Sequence, residues 1–363
     1  MKNTLQVNTS QVQAWLKTHH RINGELTPLV GDVDCNFKCQ AEHSTYTVKI
    51  SRVINTDGFD FESALLTHLQ QQATPDSAVH LPMPVLDNQG NWLTLVDELD
   101  GDLLVMRLLS WVDGALWSEF KPHRSPLLQH LGRQAARLDV LLQDFEHPLS
   151  APELAWDLAQ ALWIKDHLGR FDEAQQATLQ HFIGLYQQHH SSYQQLRCQV
   201  IHNDLNDNNI VVDTRDVYCP KVSGFIDFGD AIKTQLINEV AIMCAYAIMH
   251  QPDPLKAACD VLNGFHEVLP LQAAELQLLY PLIGMRLAVS VTQASLARAN
   301  APANDYKTIS EQPAWEALNR WQPLDPAWVL CHFRAACDMI PHPEAIALQA
   351  HLKKQAVSLG TLL

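Results

Sequence analysis

The chain has 363 residues, 47% of them apolar, and its 40 acidic residues outnumber 25 basic ones for a formal net charge of −15. That length is long for one core and short for three, so a bilobal or two-domain globular protein is expected. The acidic balance argues against nucleic-acid binding, which needs a basic face, and is compatible with a cationic small substrate. No uninterrupted apolar run reaches the roughly 18 residues of a membrane span, so no membrane partner is expected. Met1-Lys2-Asn3-Thr4 lacks the apolar stretch of a signal peptide, and the eight scattered cysteines have no zinc spacing. Both features point to a cytoplasmic chain with buried, reduced thiols. No obligate protein partner is evident.

In chain order, Ser10-x-x-Gln13 reads as a capping box ahead of a helical stripe of Val12, Trp15 and Leu16. Strands are expected at residues 27–31, 36–41 and 46–51. The first two are joined by Gly31-Asp32-Val33-Asp34-Cys35, and the last two by a turn at 42–44. Residues 61–72 form a helix with Leu65, Leu66 and Leu69 on one face, and Pro75, Pro82 and Pro84 break the pattern after it. Residues 92–96 and 103–109 read as a hairpin with Asp100-Gly101 at its turn. This order describes a small N-terminal lobe of residues 1–109. From residue 110 the pattern is mostly helical, with helices at 127–142, 158–168, 173–196, 239–250, 254–268 and 271–298. A short linker covers 300–305, and further helices fall within 325–359. At the boundary, backbone groups of Ser110 and Trp111 could hydrogen-bond a nucleotide base.

The most informative run is His202-Asn203-Asp204-Leu205-Asn206-Asp207-Asn208-Asn209, followed eighteen residues later by Asp227-Phe228-Gly229. This is the H-x-D-x-x-x-x-N and D-F-G pair of protein kinases. Asp204 would accept the proton of an attacking hydroxyl, while Asn209 and Asp227 would hold the metal ions that bridge the nucleotide phosphates. Residues 210–212 and 221–226 read as strands that return Asp227 to the loop, with 213–220 a surface excursion. Lys49, in the strand Tyr46-Thr47-Val48-Lys49-Ile50, is costly there unless it meets an anion such as triphosphate. Glu62, near the start of the next helix, could pair with it or simply favour its helix N-terminus. Gly31 to Phe37 offers one glycine and Asn36 as a phosphate-facing turn, a weak match to a glycine-rich loop. No A-P-E follows the D-F-G, and Asn238-Glu239-Val240-Ala241 enters a helix almost at once. That leaves no room for the activation loop of a protein kinase.

With these motifs the chain resembles the aminoglycoside phosphotransferase and choline kinase-like family. Within that family it is most similar to the branch of hydroxylysine kinase and homoserine kinase type II-like proteins. The resemblance runs from about residue 25 to 320. Besides the motifs above it includes Val105-Met106-Arg107-Leu108-Leu109-Ser110-Trp111, Trp156-Asp157-Leu158, Gly224 to Asp230, Asn238 to Ile242 and Ile309 to Trp315. It implies an α+β, bilobal, protein kinase-like fold. It also implies ATP (or GTP) with magnesium, and a hydroxyl acceptor on a small, often amine-bearing molecule. The chain departs from the family pattern at Asn203, a position often occupied by glycine, and at 213–221, which resembles an insertion.

The acceptor is expected in the C-terminal lobe of residues 110–363, beside Asp204. An amine on it would need carboxylates, for which Asp207, Asp230, Asp157 and Glu239 are candidates. Asp157 and Glu239 could equally serve helix starts, and Asp207 a turn. Arg286, on an apolar helix, either pairs with one of these acids or binds a substrate carboxylate. The expected activity is an ATP-dependent O-phosphotransferase for a small hydroxylated amine or amino acid. An antibiotic kinase and a nucleotide-binding regulatory pseudokinase without turnover are the rivals. The intact Asp204, Asn209, Asp227 and Lys49 count against the pseudokinase.

Overall fold

The computed structural model describes residues 5, 7–31, 34–53, 57–72, 79–99, 102–300, 311–342 and 344. Asp32 and Val33, Pro75, the Asp100-Gly101 turn, the linker at 301–305, Ile309-Ser310 and the distal tail lie outside the described residues.

Helix α1 (Thr9–His20) is capped two residues earlier than the expected capping box. Asn8 is the N-cap, its side chain accepting from the Ser10 amide while Gln11 accepts from the Asn8 amide. This frame buries Val12 and Leu16 against a five-stranded antiparallel sheet. The strands are β1 (Gly24–Leu29), β2 (Cys35–Ala41), β3 (Thr45–Val53), β4 (Thr94–Leu99) and β5 (Asp102–Ser110), in the order β1-β2-β3-β5-β4. Phe37, Cys39, Val48, Ile50, Met106 and Leu108 form the apolar face beneath α1. The alternation of a half-covered sheet sends Asn36, Lys49 and Arg107 to the other face, where the register aligns them in one row. Helix α2 (Asp57–Gln72) follows β3 and buries Phe61, Leu65, Leu66 and Leu69.

The larger part is helical: α3 (Ser125–Leu141), α4 (Glu173–Tyr193), α5 (Ile237–Ala247), α6 (Pro254–Val268), α7 (Ala273–Asn300), α8 (Glu311–Trp321) and α9 (Pro326–Ala336). The segment Leu158–Arg170, expected as an α-helix, is a 3-10 helix capped by Asp157. Helices α6 and α9 begin with proline just after an aspartate whose side chain accepts backbone N–H groups, a well-matched pair of start signals. α3 and α6 approach backbone to backbone. A Cβ on Gly132 would lie 2.0 Å from the Val261 carbonyl oxygen, and one on Gly264 1.9 Å from that of Gln129. α7 is long and apolar enough to cross a bilayer, yet 89% of its most apolar stretch is buried inside the fold, where it forms the central core helix.

Short strands carry the loops between the two parts. β6 (Ala115–Leu116), β8 (Ile210–Asp213) and β9 (Lys221–Phe225) form one sheet, and β7 (Cys198–Ile201) pairs with β10 (Ile232–Gln235). The excursion between β8 and β9 is exposed, with Tyr218 outermost. The result is bilobal α+β: an antiparallel sheet lobe and a larger, mostly helical lobe.

Candidate active site

β7 leads into His202, which is fully buried and joins the two motifs. One ring nitrogen, Nε2, lies 3.0 Å from the Ile226 carbonyl oxygen, and the other accepts the Asp204 amide at 3.3 Å. That pattern requires a neutral ring with its proton on Nε2. Burial lowers the pKa to about 4. Asn203 follows in the left-handed region at φ 64°, a conformation asparagine tolerates, and its side chain donates to the Asp230 carbonyl. Glu239 of α5 accepts the amides of His202 at 3.0 Å and Asn203 at 2.9 Å. Glu239 is therefore an anchor under the loop. Its burial pushes the pKa up against the pull of these two donors.

Asp204 is held on both oxygens. Its Oδ2 accepts from Asn206 Nδ2 at 2.8 Å and Asn209 Nδ2 at 2.9 Å. Its Oδ1 accepts from Arg286 Nη2 at 2.5 Å. Arg286 is fully buried, with its guanidinium 4.7 Å from the Trp156 ring centroid and 5.5 Å from that of Tyr246. Burial pushes the Asp204 pKa up, and Arg286 opposes it. Arg286 therefore pairs with an acid, but the acid is Asp204, which was not among the four candidate partners.

The remaining acids divide. Asp157 caps the 3-10 helix through the Ala159 amide at 3.0 Å and accepts from Thr234 Oγ1 at 3.0 Å, a structural arrangement. Asp207 lies on the same loop, its Oδ1 buried and without a hydrogen-bond partner among the described residues, and burial raises its pKa. Asp230 is close enough to Asp204 to push that group's pKa up further. Asp157 and Glu239 are thus occupied by backbone amides.

Asp227 stands at φ 66°, with Oδ1 accepting from Lys49 Nζ at 2.7 Å. Lys49 lowers the Asp227 pKa. Burial pulls the Lys49 pKa down, but Asp227 and Glu62 outweigh it and the net shift is upward. Asn209 Nδ2 is fully used by the Asp204 carbonyl and carboxylate, both at 2.9 Å, which leaves its amide oxygen as the available ligand. An amide oxygen and a carboxylate suit magnesium, a hard ion that keeps waters and phosphate oxygens in its remaining positions. Among the described residues no group of three or more His, Cys, Asp or Glu forms a closed metal cage.

On the nucleotide side, Glu62 does not meet Lys49 directly. Its carboxylate accepts from Arg107 Nη1 on β5. Arg107 was visible in the sequence only as a lone cation in the apolar stretch 103–109. Gly31 is required by packing, since a Cβ there would lie 2.5 Å from Asn36 Nδ2 and 2.7 Å from the Asp34 carbonyl oxygen. Asn36 Oδ1 is buried without a partner. In the connecting segment, the Ser110 amide donates to the Met83 carbonyl at 2.8 Å and the Trp111 amide to Thr45 at 3.1 Å. The amides of Val112, Asp113 and Gly114 have no backbone partner among the described residues.

This geometry has relatives. The Phosphotransferase enzyme family matches residues 25–271. Hydroxylysine kinase of Mus musculus is 27% identical over 227 residues, 60% of either chain, and that of Danio rerio is 26% identical over 312 residues, 81% of this chain and 86% of the relative. The chain thus spans about 60% of the length of the mouse protein in that match. Among solved structures, a microcompartment-associated aminopropanol kinase superposes with a TM-score of 0.65 at 20% identity, over 91% of this chain and 99% of the other. Amicoumacin kinase hAmiN, in complex with AMP-PNP, Ca2+ and Ami, gives 0.64 at 16% identity, over 88% and 96%. At these identities the structural likeness shows the fold alone.

Proposed function

Because the chain belongs to the phosphotransferase enzyme family, we propose that it transfers the γ-phosphate of ATP to a hydroxyl of a small amine or amino acid of the hydroxylysine or homoserine kind. The carrying observation is the convergence of Asp204, Asn209, Asp227 and Lys49, linked through Asn209 Nδ2 on Asp204 and the 2.7 Å Lys49–Asp227 pair. In this reading residues 1–109 hold the nucleotide and residues 110–363 carry the catalytic loop and the acceptor.

Asp204 takes the proton of the acceptor hydroxyl as that oxygen bonds to the γ-phosphorus and the bond from phosphorus to the β,γ-bridging oxygen breaks, releasing ADP; Asn206, Asn209 and Arg286 hold the carboxylate in place. Lys49 gives up Asp227 for phosphate oxygens and offsets their charge. Asn209 and Asp227 would hold magnesium, which would supply charge neutralisation at the phosphates. His202 and Glu239 keep the loop rigid from below. Asp207 and Asp230 face the acceptor and favour an ammonium group, in line with the aminopropanol and hydroxylysine kinases among the relatives. GTP in place of ATP fits the same phosphate groups, and backbone groups of the connecting segment at 110–114 would choose between them.

The test is magnesium-dependent ADP release with 5-hydroxylysine, homoserine, threonine, ethanolamine, choline and two aminoglycosides. Stimulation by one of the first five supports the reading. Stimulation by the aminoglycosides alone moves the chain to the antibiotic kinases. MgATP binding with silence across the panel favours a regulatory role.

A further inference from the structure

Arg107 is a buried cation that no step of phosphate transfer uses. It stands opposite Lys49 in the β3–β5 register and is 4% exposed. Its Nη1 donates to Glu62, itself 3% exposed, and its Nη2 to Asp34 Oδ2 at 2.6 Å and Ser51 Oγ at 2.9 Å. Phe59 covers the guanidinium with its ring centroid 4.7 Å away. A planar guanidinium fork can satisfy these three acceptors together, whereas an ammonium is a point charge with no such geometry. Glu62 therefore has a better partner than Lys49, although both cations share one face of the sheet.

We propose that Arg107 is a positioning residue of the nucleotide site: by holding Glu62, and Asp34 at the start of β2, it leaves Lys49 free to exchange Asp227 for triphosphate oxygens. This rests on Lys49 being a phosphate ligand. Without Arg107, Glu62 becomes an unpaired buried carboxylate beside Lys49, and capturing the ammonium is its nearest relief. The lysine charge is then neutralised before phosphate arrives. The usual expectation for such a site, a lysine held by the helix glutamate, is inverted here: the glutamate belongs to the arginine.

The test is calorimetric titration of the full chain with MgATP and, separately, with adenosine, for wild type, Lys49→Met, Glu62→Gln, Arg107→Met and the double variant Arg107→Met with Glu62→Gln. Arg107→Met should weaken MgATP binding about tenfold or more, the effect of one charged hydrogen bond, and leave adenosine binding unchanged. Adding Glu62→Gln should restore most of that loss, and Glu62→Gln alone should bind MgATP at least about tenfold more tightly than Lys49→Met. Three results overturn the proposal: a double variant as weak as Arg107→Met, Glu62→Gln as weak as Lys49→Met, or adenosine affinity falling in step with MgATP. Should Arg107→Met fail to fold, the comparison of Glu62→Gln with Lys49→Met decides alone. Wild type that binds no MgATP overturns the nucleotide reading itself, an outcome distinct because it needs no variant.

Discussion

Replacing Arg286 by methionine removes the cation on Asp204 while keeping most of the side-chain stem. Arg286 is fully buried and donates to Asp204 Oδ1 at 2.5 Å between the rings of Trp156 and Tyr246. Removing one partner of a buried pair leaves the other charge uncompensated, which costs about 3–5 kcal/mol. Asp204 keeps the amides of Asn206 and Asn209, so the lower end, about 3 kcal/mol, is expected. Urea unfolding followed by tryptophan fluorescence reads this directly. Asp204→Asn in the same background removes the stranded charge, so the two changes together should cost about 2 kcal/mol less than their sum. A loss under about 1 kcal/mol for Arg286→Met, or strict additivity in the double variant, would refute the claim that this cation compensates the Asp204 carboxylate.

Other consequences are equally specific. Asn203 occupies the left-handed region at φ 64°, so Asn203→Val should destabilise by about 1–2 kcal/mol while Asn203→Gly stays near wild type, as thermal unfolding would show. Gly264→Ala puts a methyl against the Gln129 carbonyl and should cost about 1–3 kcal/mol by forcing α3 and α6 apart; a neutral result would mean that the helices slide freely. His123 stacks on Trp117 at 3.9 Å, and burial lowers its pKa from 6.5 to about 4. The unfolded chain therefore takes up this proton from pH 6.5 downwards while the fold refuses it until about 4, so His123 contributes least to stability in acid. The stability difference between wild type and His123→Phe should move in the variant's favour across that window, and a difference independent of pH would contradict the assignment.

Much of the site was legible because its chemistry is local in sequence. Asp204 and Asn209 share one loop, and the apolar segments on either side became β7, β8 and β9 as their patterns required. Lys49 was legible as a charge in an apolar strand. Partners chosen by tertiary packing were not. Arg107 and Glu62 are 45 residues apart, and nothing in either segment says that the arginine rather than Lys49 wins the carboxylate. Arg286 lies 82 residues from Asp204 on a helix whose apolar pattern only marked it as buried. Asp157 was legible as a helix cap as well as an amine ligand, and it caps the 3-10 helix; Glu239 instead accepts two amides of a distant loop, a partner that leaves no trace in sequence. The α1 cap was misplaced by two residues because Asn8, Ser10 and Gln11 all carry capping chemistry, and the buried face of Val12 and Leu16 decided between them.

The central claim is phosphoryl transfer with Asp204 as the base. Phosphorus NMR or mass spectrometry of a reaction containing MgATP and 5-hydroxylysine, run beside the Asp204→Ala variant, tests it most directly. Wild type should yield an O-phosphorylated amino acid, and the variant should lose turnover by about 10²–10⁴ while MgATP binding persists. Equal product from wild type and Asp204→Ala would contradict it.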